Sequence, residues 1–377
     1  MNIGFDAKRA FHNNAGLGNY SRLIIQSLIS YYPEHHYHLF TPSATTKFPT
    51  DQKNLFVHSP ASTFDKILSS IWRRKSIIHD LHKNHIDIYH GLSNELPMGI
   101  NTHNIPSVVT IHDLIFEKYP EYYFGWDRKI YHAKSLQAAR DANHIIAVSQ
   151  QTKTDLIEHY QIKAEKISVV YSILNPIFFN KADEAQLTET RVNLNLPARF
   201  LLYVGTIEAR KNLLTLVKAL HILQEPSNLM LVVVGKPLAY KKKVVDYIEK
   251  NDLQHRVIFL EKITNEVLLK IYQLASAFIY PSFYEGFGMP VLEALACRVP
   301  VIASDIPVLR EAGGNSAYYV DCSDEEQLAS AITKILEDEK LRTEMSEKGF
   351  LHAALFRNTL IVQQLMAFYK QFVSSNH

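Results

Sequence analysis

The chain has 377 residues, of which 47% are hydrophobic and 21% are charged, and its formal net charge is +2. At about 150 residues per domain, this length predicts two globular domains, each with an ample hydrophobic core. The low net charge argues against a nucleic-acid-binding protein, which usually carries a strongly basic face, and no stretch approaches the roughly 18 apolar residues that a membrane-spanning helix needs.

The first half of the chain alternates apolar runs with helical patterns. The predicted strands are residues 2–5, 37–40, 86–89, 108–111, 145–148 and 167–170. The predicted helices are residues 20–31, 67–83, 131–140 and 151–160. Because alternating strands and helices are typical of a parallel sheet covered on both faces, residues 1–175 are predicted to form one Rossmann-like domain.

The second half has the same alternation with shorter connections. The predicted strands are residues 200–204, 229–234, 257–260, 278–280 and 299–303. The predicted helices are residues 212–223, 241–250, 266–274, 291–296, 327–336, 339–350 and 360–372. Residues 200–355 therefore form a second predicted Rossmann-like domain, and the polar, proline-marked segment 176–199 is predicted as a linker. Two such domains place a cleft between the carboxyl ends of two sheets, where ligands bind.

Two glutamates eight residues apart, Glu285 and Glu293, are the most informative residues of the second half. A strand-like run precedes them, and a helix starting near Pro290 follows, so both carboxylates flank a helix N-terminus that attracts an anion. Gly286 and Gly288 let a ligand approach the backbone closely. A phosphate beside two carboxylates that accept hydroxyl groups matches a nucleotide sugar. The alternative is a solvated loop with a helix-capping glutamate.

A second polar element follows the first strand of the second domain. Gly205 ends that strand, and Arg210 and Lys211 precede the next helix. Two adjacent cations at a helix start are unfavourable with the helix dipole unless an anion is present. Lysine suits a diphosphate as a point charge, and arginine binds it in a forked manner. A solvated loop is the alternative interpretation.

The first domain offers two smaller candidates. His112 and Asp113 end a buried strand and are expected to face the cleft, where the histidine would donate a hydrogen bond to a sugar hydroxyl or a leaving oxygen. A histidine that satisfies the local backbone is the alternative. Gly16 and Gly18 open the first helix in a turn that either faces a phosphate or is a plain tight turn.

An aromatic and basic segment lies between residues 116 and 131. It contains seven aromatic residues, among them Tyr122 and Trp126, and three basic residues. This mixture suits a sugar platform or a lipid interface, and it raises the hypothesis of attachment to the inner face of a membrane. The alternative is a long loop that packs onto its own domain.

Metal and redox signals are weak in this chain. There is no Asp-x-Asp and no histidine, cysteine or carboxylate spacing of a metal site, so neither a metal nor another cofactor is expected and cations must hold any diphosphate. Cys297 and Cys322 are expected to be reduced thiols. No signal-peptide pattern is visible at the start, and a cytoplasmic location is expected.

Taken together, these residues resemble the retaining glycosyltransferases of family 4, which have the two-domain GT-B fold. The resemblance covers nearly the whole chain. Its most specific part is the run from Glu285 to Glu293, which matches the family's E-x7-E element. His112 with Asp113, the Gly205 to Asn212 segment, and residues 147–149 match other family positions in the same order.

The resemblance implies a role for each candidate residue. Glu293 would hold the donor ribose, Glu285 the transferred sugar, Lys211 with Arg210 the diphosphate, and His112 would lie beside the anomeric carbon; His112, Glu285 and Lys211 are the predicted catalytic residues. The further donor contacts that it implies are Gly16, Gly18, Gly205, Lys262, Ile263, Gly286, Phe287, Gly288 and Met289. Asp113, Tyr122 and Trp126 are the acceptor candidates.

The resemblance also implies the division of labour and the reaction. Residues 1–175 would be the acceptor side, residues 200–355 the donor domain, and residues 356–377 a helix that crosses back to the first domain. The reaction would transfer a sugar with retention, without metal, from a nucleotide sugar to a glycan or lipid-linked acceptor, with GDP-mannose as the first guess. Thr206 stands where many members have arginine, and Ala15 where many have glycine.

Three other classes compete with this reading. A nucleotide-sugar epimerase of the same fold would need no acceptor. A NAD-dependent oxidoreductase would need a G-x-G-x-x-G after a strand, and the sequence has none. A catalytically silent binding subunit would have no reason to keep Glu285, Glu293, His112 and Lys211. The oligomeric state cannot be read from the sequence.

Overall fold

A computed structural model describes residues 1–14, 16–123, 125–223 and 229–374. Ala15 and Phe124, which the sequence analysis singled out, lie outside these residues. The chain divides into two compact units: Met1–Ile173 with the chain from Asn358 onward, and Leu174–Arg357. Across the described residues, no helix combines the length and the hydropathy that crossing a membrane would require.

The first unit is built on a seven-stranded parallel sheet with the order β3-β2-β1-β4-β5-β6-β7. Its strands are β1 (Asn2–Asp6), β2 (His36–Phe40), β3 (Leu55–His58), β4 (Ile88–Gly91), β5 (Ser107–Ile111), β6 (His144–Ala147) and β7 (Ile167–Val169). Strands β4 and β5 are buried along their whole length, as expected of central strands covered on both faces. The strand order reverses between β1 and β4, and this is the point where ligands bind in open parallel sheets.

Helices cover this sheet. They are α1 (Lys8–His12), α2 (Gly16–Tyr31), α3 (Thr63–Ile67), α4 (Ser69–Ile71), α5 (Ile77–Lys83), α6 (Ile115–Lys118), α7 (Gly125–Asp141) and α8 (Gln150–Tyr160). A π-helical turn, Trp72–Ser76, joins α4 to α5. Trp72 is buried in this turn, with its ring nitrogen donating a 2.7 Å hydrogen bond to Asp80.

The second unit has a six-stranded parallel sheet with the order β10-β9-β8-β11-β12-β13. The strands are β8 (Phe200–Val204), β9 (Met230–Val234), β10 (Val257–Leu260), β11 (Ala277–Tyr280), β12 (Val301–Ser304) and β13 (Tyr318–Val320). The strand order reverses between β8 and β11, which are hydrogen-bonded neighbours. The loops that follow these two strands therefore start side by side.

The helices of the second unit come between its strands and after them. They are α9 (Glu184–Asn193), α10 (Leu213–Ile222), α11 (Tyr240–Lys250), α12 (Asn265–Leu274), α13 (Met289–Ala296), α14 (Pro307–Gly313), α15 (Glu325–Glu337) and α16 (Glu339–Ala353). Helix α17 (Asn358–Ser374) belongs to the first unit, where it packs against α2 and buries Ile361 and Leu365 beside Ile24 and Leu28.

The two points at which the chain passes between the units are adjacent. Leu174 forms an isolated parallel bridge with Arg357, and its backbone N–H donates a 3.1 Å hydrogen bond to the Phe356 carbonyl. The second unit thus begins and ends at neighbouring residues.

The predicted α/β class, with two Rossmann-like domains on parallel sheets, is confirmed. Some local predictions differ from the structure. The predicted linker, residues 176–199, belongs to the second unit and contains α9, which begins with a capping box formed by Asp183 and Gln186 and packs on α12. The aromatic segment, predicted as a loop, contains the start of α7. Strands β3 and β13 were not predicted.

Candidate active site

Three side chains meet where the loops after β8 and β11 lie side by side. The Lys211 ammonium donates hydrogen bonds to Glu285 Oε1 at 2.6 Å and to the Tyr280 hydroxyl at 2.7 Å. The same hydroxyl donates to Glu285 Oε1 at 2.9 Å. The sequence analysis placed Lys211 and Glu285 in separate loops of one site, and the structure brings them into direct contact.

Arg210 holds the other oxygen of the same carboxylate. Its Nη1 lies 3.0 Å from Glu285 Oε2 and also donates to the Tyr284 carbonyl, while its Nη2 lies 2.7 Å from Glu208 Oε1. In addition, the Phe283 N–H donates to the Arg210 carbonyl at 2.9 Å. The two loops are therefore tied together by side chains and by backbone.

The electrostatics of this cluster favour an ionised Glu285. Burial alone would raise the pKa of Glu285, but Lys211 and Arg210 outweigh it and lower that pKa to about 2. Burial would likewise lower the pKa of Arg210, yet the carboxylates of Glu285 and Glu208 raise it. Burial lowers the pKa of Lys211, and Glu285 opposes that effect. The site is thus a buried carboxylate held between two cations.

The backbone of these loops leaves little room for other residues. A Cβ at Gly205 would lie 3.0 Å from Lys211 Cδ, so a glycine lets the lysine chain pass. Asn212 adopts a left-handed φ of 55° and donates a 2.7 Å hydrogen bond to the Cys322 carbonyl. Gly288 has a φ of 108° at the N-cap of α13. These constraints fix where Lys211 and the start of α13 lie.

Glu293 lies on α13, and its environment differs from that of Glu285. Its Oε2 accepts a 3.1 Å hydrogen bond from the Tyr272 hydroxyl. Burial raises the pKa of Glu293 to about 7, and the hydrogen bond from Tyr272 opposes this. The environments of the two glutamates therefore shift their pKa values in opposite directions, that of Glu285 downward and that of Glu293 upward.

The remaining predicted donor residues of this unit lie on neighbouring loops. Lys262 is exposed with a left-handed φ of 57° and, with Ile263, follows β10. Gly286 and Phe287 lie between Glu285 and α13, with the Phe287 ring buried 5.7 Å from the Phe356 ring. Met289 is the first residue of α13. The Phe287 side chain is thus packed inside the unit.

A larger, open depression of about 1010 Å³ lies in the same unit at the ends of β12 and β13. Its charged lining consists of Asp305, Asp321, Asp324, Glu326 and Lys334. An excess of carboxylates repels a diphosphate, whereas the cluster of Arg210 and Lys211 offers two cations.

The first unit has its own cavity, of about 260 Å³, at its switch point. Its walls come from the segments after β1, β4 and β5 and from α7. They are Arg9, Leu17, Ser93, Asn94, Glu95, His112, Asp113, Phe116, Tyr123, Tyr131, Lys134 and Ser135. His112 and Asp113 thus share one cavity of the first unit.

His112 is held in one tautomer. Its Nε2 lies 2.8 Å from the Leu92 carbonyl, which only accepts, so Nε2 carries the proton. Burial lowers the pKa of His112 to about 4, against the effect of that hydrogen bond, and Tyr20 packs edge-on against the ring at 4.6 Å. The ring is therefore neutral at pH 7 and offers Nδ1 as an acceptor. The expectation that His112 donates to a ligand is corrected, because its N–H is already used.

A charged cluster that the sequence analysis missed lies against this cavity. Arg73, on the π-helical turn, is buried and pairs with Glu95 and, at 3.4 Å, with Asp6. Lys134 of α7 lies 3.3 Å from Glu95. Asp6 and Glu95 come after predicted strands. Their position beyond the carboxyl ends of these strands is the signal that could have identified them as members of the cluster. Arg73 lies inside the predicted helix 67–83, so its position against the cavity was not predicted.

The other predicted residues of the first unit lie outside the cavity. Gly16 and Gly18 belong to α2, and a Cβ at Gly18 would collide with the Asn13 carbonyl, so Gly18 has a packing reason of its own. Tyr122 and Trp126 do not line the cavity. Trp126 is 79% exposed, and the aromatic wall is formed instead by Phe116 and its neighbours in the segment.

One group of side chains within the described residues has the geometry to hold a metal ion. Asp155, Glu158 and His159 of α8 bring three potential ligand atoms within 4.8 Å of one another. Asp155 is buried and already interacts with Gln151 at 2.8 Å and Lys118 at 3.6 Å, while the other two are exposed. None of the three lines the cavity of the first unit.

Comparisons with known proteins agree with this architecture. Residues 16–176 match the model of the family described as Glycosyltransferase Family 4, and residues 187–352 match that of Glycosyl transferases group 1. The chain is 29% identical to the O-antigen chain mannosyltransferase B of Escherichia coli over 71% of its length and 70% of that protein. It is 32% identical to the O-antigen chain mannosyltransferase RfbU of Salmonella typhimurium over 62% of its length and 63% of that protein.

Solved structures share the fold. A glycosyltransferase from Rickettsia africae superposes with a TM-score of 0.78 at 19% identity, covering 99% of this chain and 98% of that one. The Anabaena protein HepE, in complex with UDP and glucose, superposes with a TM-score of 0.76 at 19% identity, covering 98% of this chain and 100% of that one.

Two Rossmann-like domains with polar clusters at their switch points define a GT-B glycosyltransferase architecture. The family matches cover both halves of the chain, and the protein belongs to the glycosyltransferases of family 4. The predictions of this family and of the GT-B fold are confirmed, and the predicted enzyme class is confirmed at the level of the family.

Proposed function

We propose that this protein transfers a hexosyl group from a nucleoside-diphosphate sugar to a glycan hydroxyl, with retention of configuration and without a metal ion. The observation that carries the proposal is the buried Glu285, which Lys211 and Arg210 clamp at the switch point of the second unit. This arrangement places a carboxylate, which accepts hydrogen bonds from sugar hydroxyls, beside two cations, which bind a diphosphate. A nucleoside-diphosphate sugar needs both kinds of group.

The diphosphate is proposed to bind at Lys211, Arg210 and the start of α13. No side chain caps α13 and Pro290 lies in its first turn, so the dipole at this N-terminus is free to attract an anion. As the bond between the anomeric carbon and the phosphate oxygen breaks, negative charge grows on that oxygen, and the two cations stabilise it. Fixed cations carry out this role without a metal.

Donor binding is proposed to redistribute the hydrogen bonds of Glu285. Its Oε1 accepts from Lys211 and Tyr280, and its Oε2 pairs with Arg210, so the carboxylate is nearly saturated. A diphosphate competes for the cations, and each contact that it takes frees a carboxylate lone pair for a sugar hydroxyl. The diphosphate thus takes the place of Glu285 at a cation, and a sugar hydroxyl takes the place of that cation at Glu285.

The acceptor hydroxyl is proposed to attack the face from which the diphosphate departs. The new bond joins the acceptor oxygen to the anomeric carbon, the old carbon–oxygen bond breaks, and the acceptor proton passes to the departing phosphate. No side-chain base is needed for this step. Glu285, which Lys211 and Arg210 hold ionised, then serves to accept hydrogen bonds from the sugar.

The relatives guide the choice of substrates. Proteins named as O-antigen chain mannosyltransferases support GDP-mannose as the first donor to test and a growing surface polysaccharide, free or lipid-linked, as the acceptor. A cytoplasmic site of action is proposed, because the proposed donor is a nucleotide sugar. Peripheral membrane contact is proposed through Trp126 and Ile130, which are 79% and 50% exposed near Lys129 on α7. Sedimentation with anionic vesicles at low salt tests it, and loss of binding in Trp126→Ala is the expected result.

The proposed donor site is tested by thermal-shift titrations with GDP, UDP, dTDP, ADP and their sugars in EDTA. A nucleotide at about 100 times its Kd stabilises the protein by about 2.7 kcal/mol. We expect one base to give this shift, and Lys211→Met to abolish it. Lys218→Met serves as the control, because it removes a lysine that pairs with Glu325 at 3.1 Å but is about one-third exposed. A shift that survives in Lys211→Met would contradict the proposed site.

Transfer is tested with the nucleotide sugar that binds. We expect sugar transfer to a glycan acceptor with the anomeric configuration kept, measured by NMR of the product. Formation of an isomeric nucleotide sugar from donor alone would favour an epimerase. Binding without any turnover would favour a silent subunit.

A further inference from the structure

A row of buried, hydrogen-bonded side chains crosses the core of the first unit. The hydroxyl of Tyr369, on α17, is hydrogen-bonded to Nδ1 of His90, on β4. Nε2 of His90 lies 2.8 Å from the hydroxyl of Thr110, on β5, which lies 3.3 Å from the hydroxyl of Tyr20, on α2. All four side chains are buried. The row therefore connects α17 to α2 through two central strands.

The rings of this row are uncharged. Burial raises the pKa of Tyr20 to about 12, against the effect of its hydrogen bond with Thr110. Burial, with the nearby His112, lowers the pKa of His90 to about 3. A neutral imidazole has one N–H and one acceptor nitrogen, so one neighbour of His90 in the row donates to it and the other accepts from it. Neither ring exchanges a proton near neutral pH, so the row can act only through its geometry.

Tyr20, at one end of the row, also contacts His112. Their ring centroids are 4.6 Å apart, and the ring planes are at 89° to each other. The backbone of His112 is held on both sides, because its N–H donates to Asn94 Oδ1 at 2.9 Å and its carbonyl accepts from the Thr152 hydroxyl at 3.2 Å. The freedom that remains to His112 is therefore in its side chain.

Two contacts limit the rotation of the His112 ring. The torsion between the Cβ of a histidine and its ring has only a broad preference, so the ring needs support from outside. The Leu92 carbonyl, 2.8 Å from Nε2, supplies one contact, and the perpendicular Tyr20 ring supplies the other. Hydrogen bonds in a buried network are directional and make a side chain rigid, so the Tyr20 hydroxyl fixes where that ring lies.

From these contacts we propose that Tyr20 is a positioning residue for His112, and that the row of Thr110, His90 and Tyr369 holds Tyr20 in place. The inference rests on the proposed function, because His112 is one of the predicted catalytic residues. It makes α17 part of the support of the cavity in the first unit, although α17 does not line that cavity.

The first test is ¹⁵N NMR of the histidine rings, which needs no substrate. His112→Asn assigns the His112 signals by their loss. In the wild type we expect a single tautomer of His112 with the proton on Nε2. In Tyr20→Leu, which removes the perpendicular ring, we expect the two nitrogen shifts to move toward each other or the signals to double. An unchanged His112 spectrum in Tyr20→Leu would overturn the proposal.

Three conservative variants break the row at different contacts. Tyr20→Phe, Thr110→Val and Tyr369→Phe each remove one hydroxyl and keep the shape of the side chain, so they serve where Tyr20→Leu does not fold. A misplacement of about 1 Å can cost about a hundredfold in rate, and for the smaller shifts here we expect kcat to fall about tenfold. Nucleotide binding should match the wild type, because the proposed donor site lies on the other unit.

Tyr37→Phe is the matched control. Tyr37 is buried in the same core as Tyr369, but its hydroxyl donates to the carbonyls of Leu28 and Tyr32, at 2.9 and 2.8 Å. We expect Tyr37→Phe to lower the stability of the first unit and to leave kcat and the His112 spectrum as in the wild type. Equal losses of kcat in Tyr37→Phe and Tyr20→Phe would overturn the proposal, because any loss of stability would then explain them.

The two proposals fail in different ways. If nucleotides bind and sugar is transferred, but Tyr20→Phe and Thr110→Val keep the kcat of the wild type, the positioning inference alone is wrong. If no nucleotide binds at all, the proposed function is wrong, whatever the NMR spectra give. The His112 spectrum in Tyr20→Leu then still decides whether Tyr20 holds that ring.

Discussion

Replacing Glu285 with glutamine isolates the charge of the clamp while keeping its shape. The cations lower the pKa of Glu285 from 4.5 to about 2. At about 1.4 kcal/mol for each tenfold change in proton affinity, this corresponds to roughly 3 kcal/mol of folding free energy at pH 7. We therefore expect Glu285→Gln to lower the unfolding free energy of the second unit by about 3 kcal/mol.

The pH dependence of this loss has a definite sign. A carboxylate whose pKa is lowered by folding stabilises the native state above its unfolded pKa, and the stabilisation is lost as the pH falls toward the folded pKa. The difference between wild type and Glu285→Gln should be constant from pH 7 to about pH 5. It should then shrink by about 1.4 kcal/mol per pH unit, to roughly half at pH 3.5.

The assay must report on the second unit. Both tryptophans, Trp72 and Trp126, lie in the first unit, so hydrogen exchange of the β8 and β11 amides is the suitable measurement. Glu325→Gln is the control, because its pair with Lys218 has a similar 3.1 Å separation but is one-third exposed. Such pairs contribute about 0–1 kcal/mol. Equal losses of unfolding free energy in the two variants, or a loss in Glu285→Gln that does not change with pH, would refute the reasoning.

Three other perturbations give distinct results. Because burial raises the pKa of Glu293 to about 7, nucleotide affinity should rise as the pH increases from 6 to 8 if the ionised carboxylate holds the ribose, and Glu293→Gln should remove this dependence. Asn212→Ala should lower the unfolding free energy of the second unit, measured by hydrogen exchange, by about 2–4 kcal/mol, because alanine is strained at a left-handed φ and leaves the Cys322 carbonyl without its hydrogen bond. Asn212→Gly should cost less, because glycine adopts this φ without strain. Tyr369→Phe should cost the first unit about 1–3 kcal/mol in tryptophan-monitored urea unfolding, since it leaves Nδ1 of the buried His90 without its partner while Nε2 keeps Thr110, and no loss would count against the Tyr369 contact.

The sequence predicted the central strands well, for a physical reason. Strands such as β5 and β8 are buried on both faces, so they appear as continuous apolar runs. The missed strands β3 and β13 are at the edges of their sheets and are partly exposed, and their apolar runs, residues 55–57 and 317–320, are short. Helix α9 was missed because its polar face reads like a linker, although Asp183 supplies its capping box.

The charged residues of the candidate site were predictable from the sequence, and its buried hydroxyl was not. Charged residues after apolar strands pointed to Lys211, Arg210 and Glu285, because the carboxyl ends of adjacent parallel strands converge. The hydroxyl of Tyr280 was not predicted, since the residue lies inside a buried strand and counts as apolar there. The position of Arg73 depends on a π-helical turn, and no residue pattern in the sequence predicts such a turn.

The adjacency of Leu174 and Arg357 makes the second unit an insertion in the topological sense. Its two ends are neighbours, so residues 174–357 can be removed or replaced without stretching the chain on either side. A cassette of this kind carries Lys211, Glu285 and Glu293 together, and leaves α17 with the first unit. Exchange of such cassettes between family members would replace the proposed donor site in one recombination step while the cavity of the first unit stays intact.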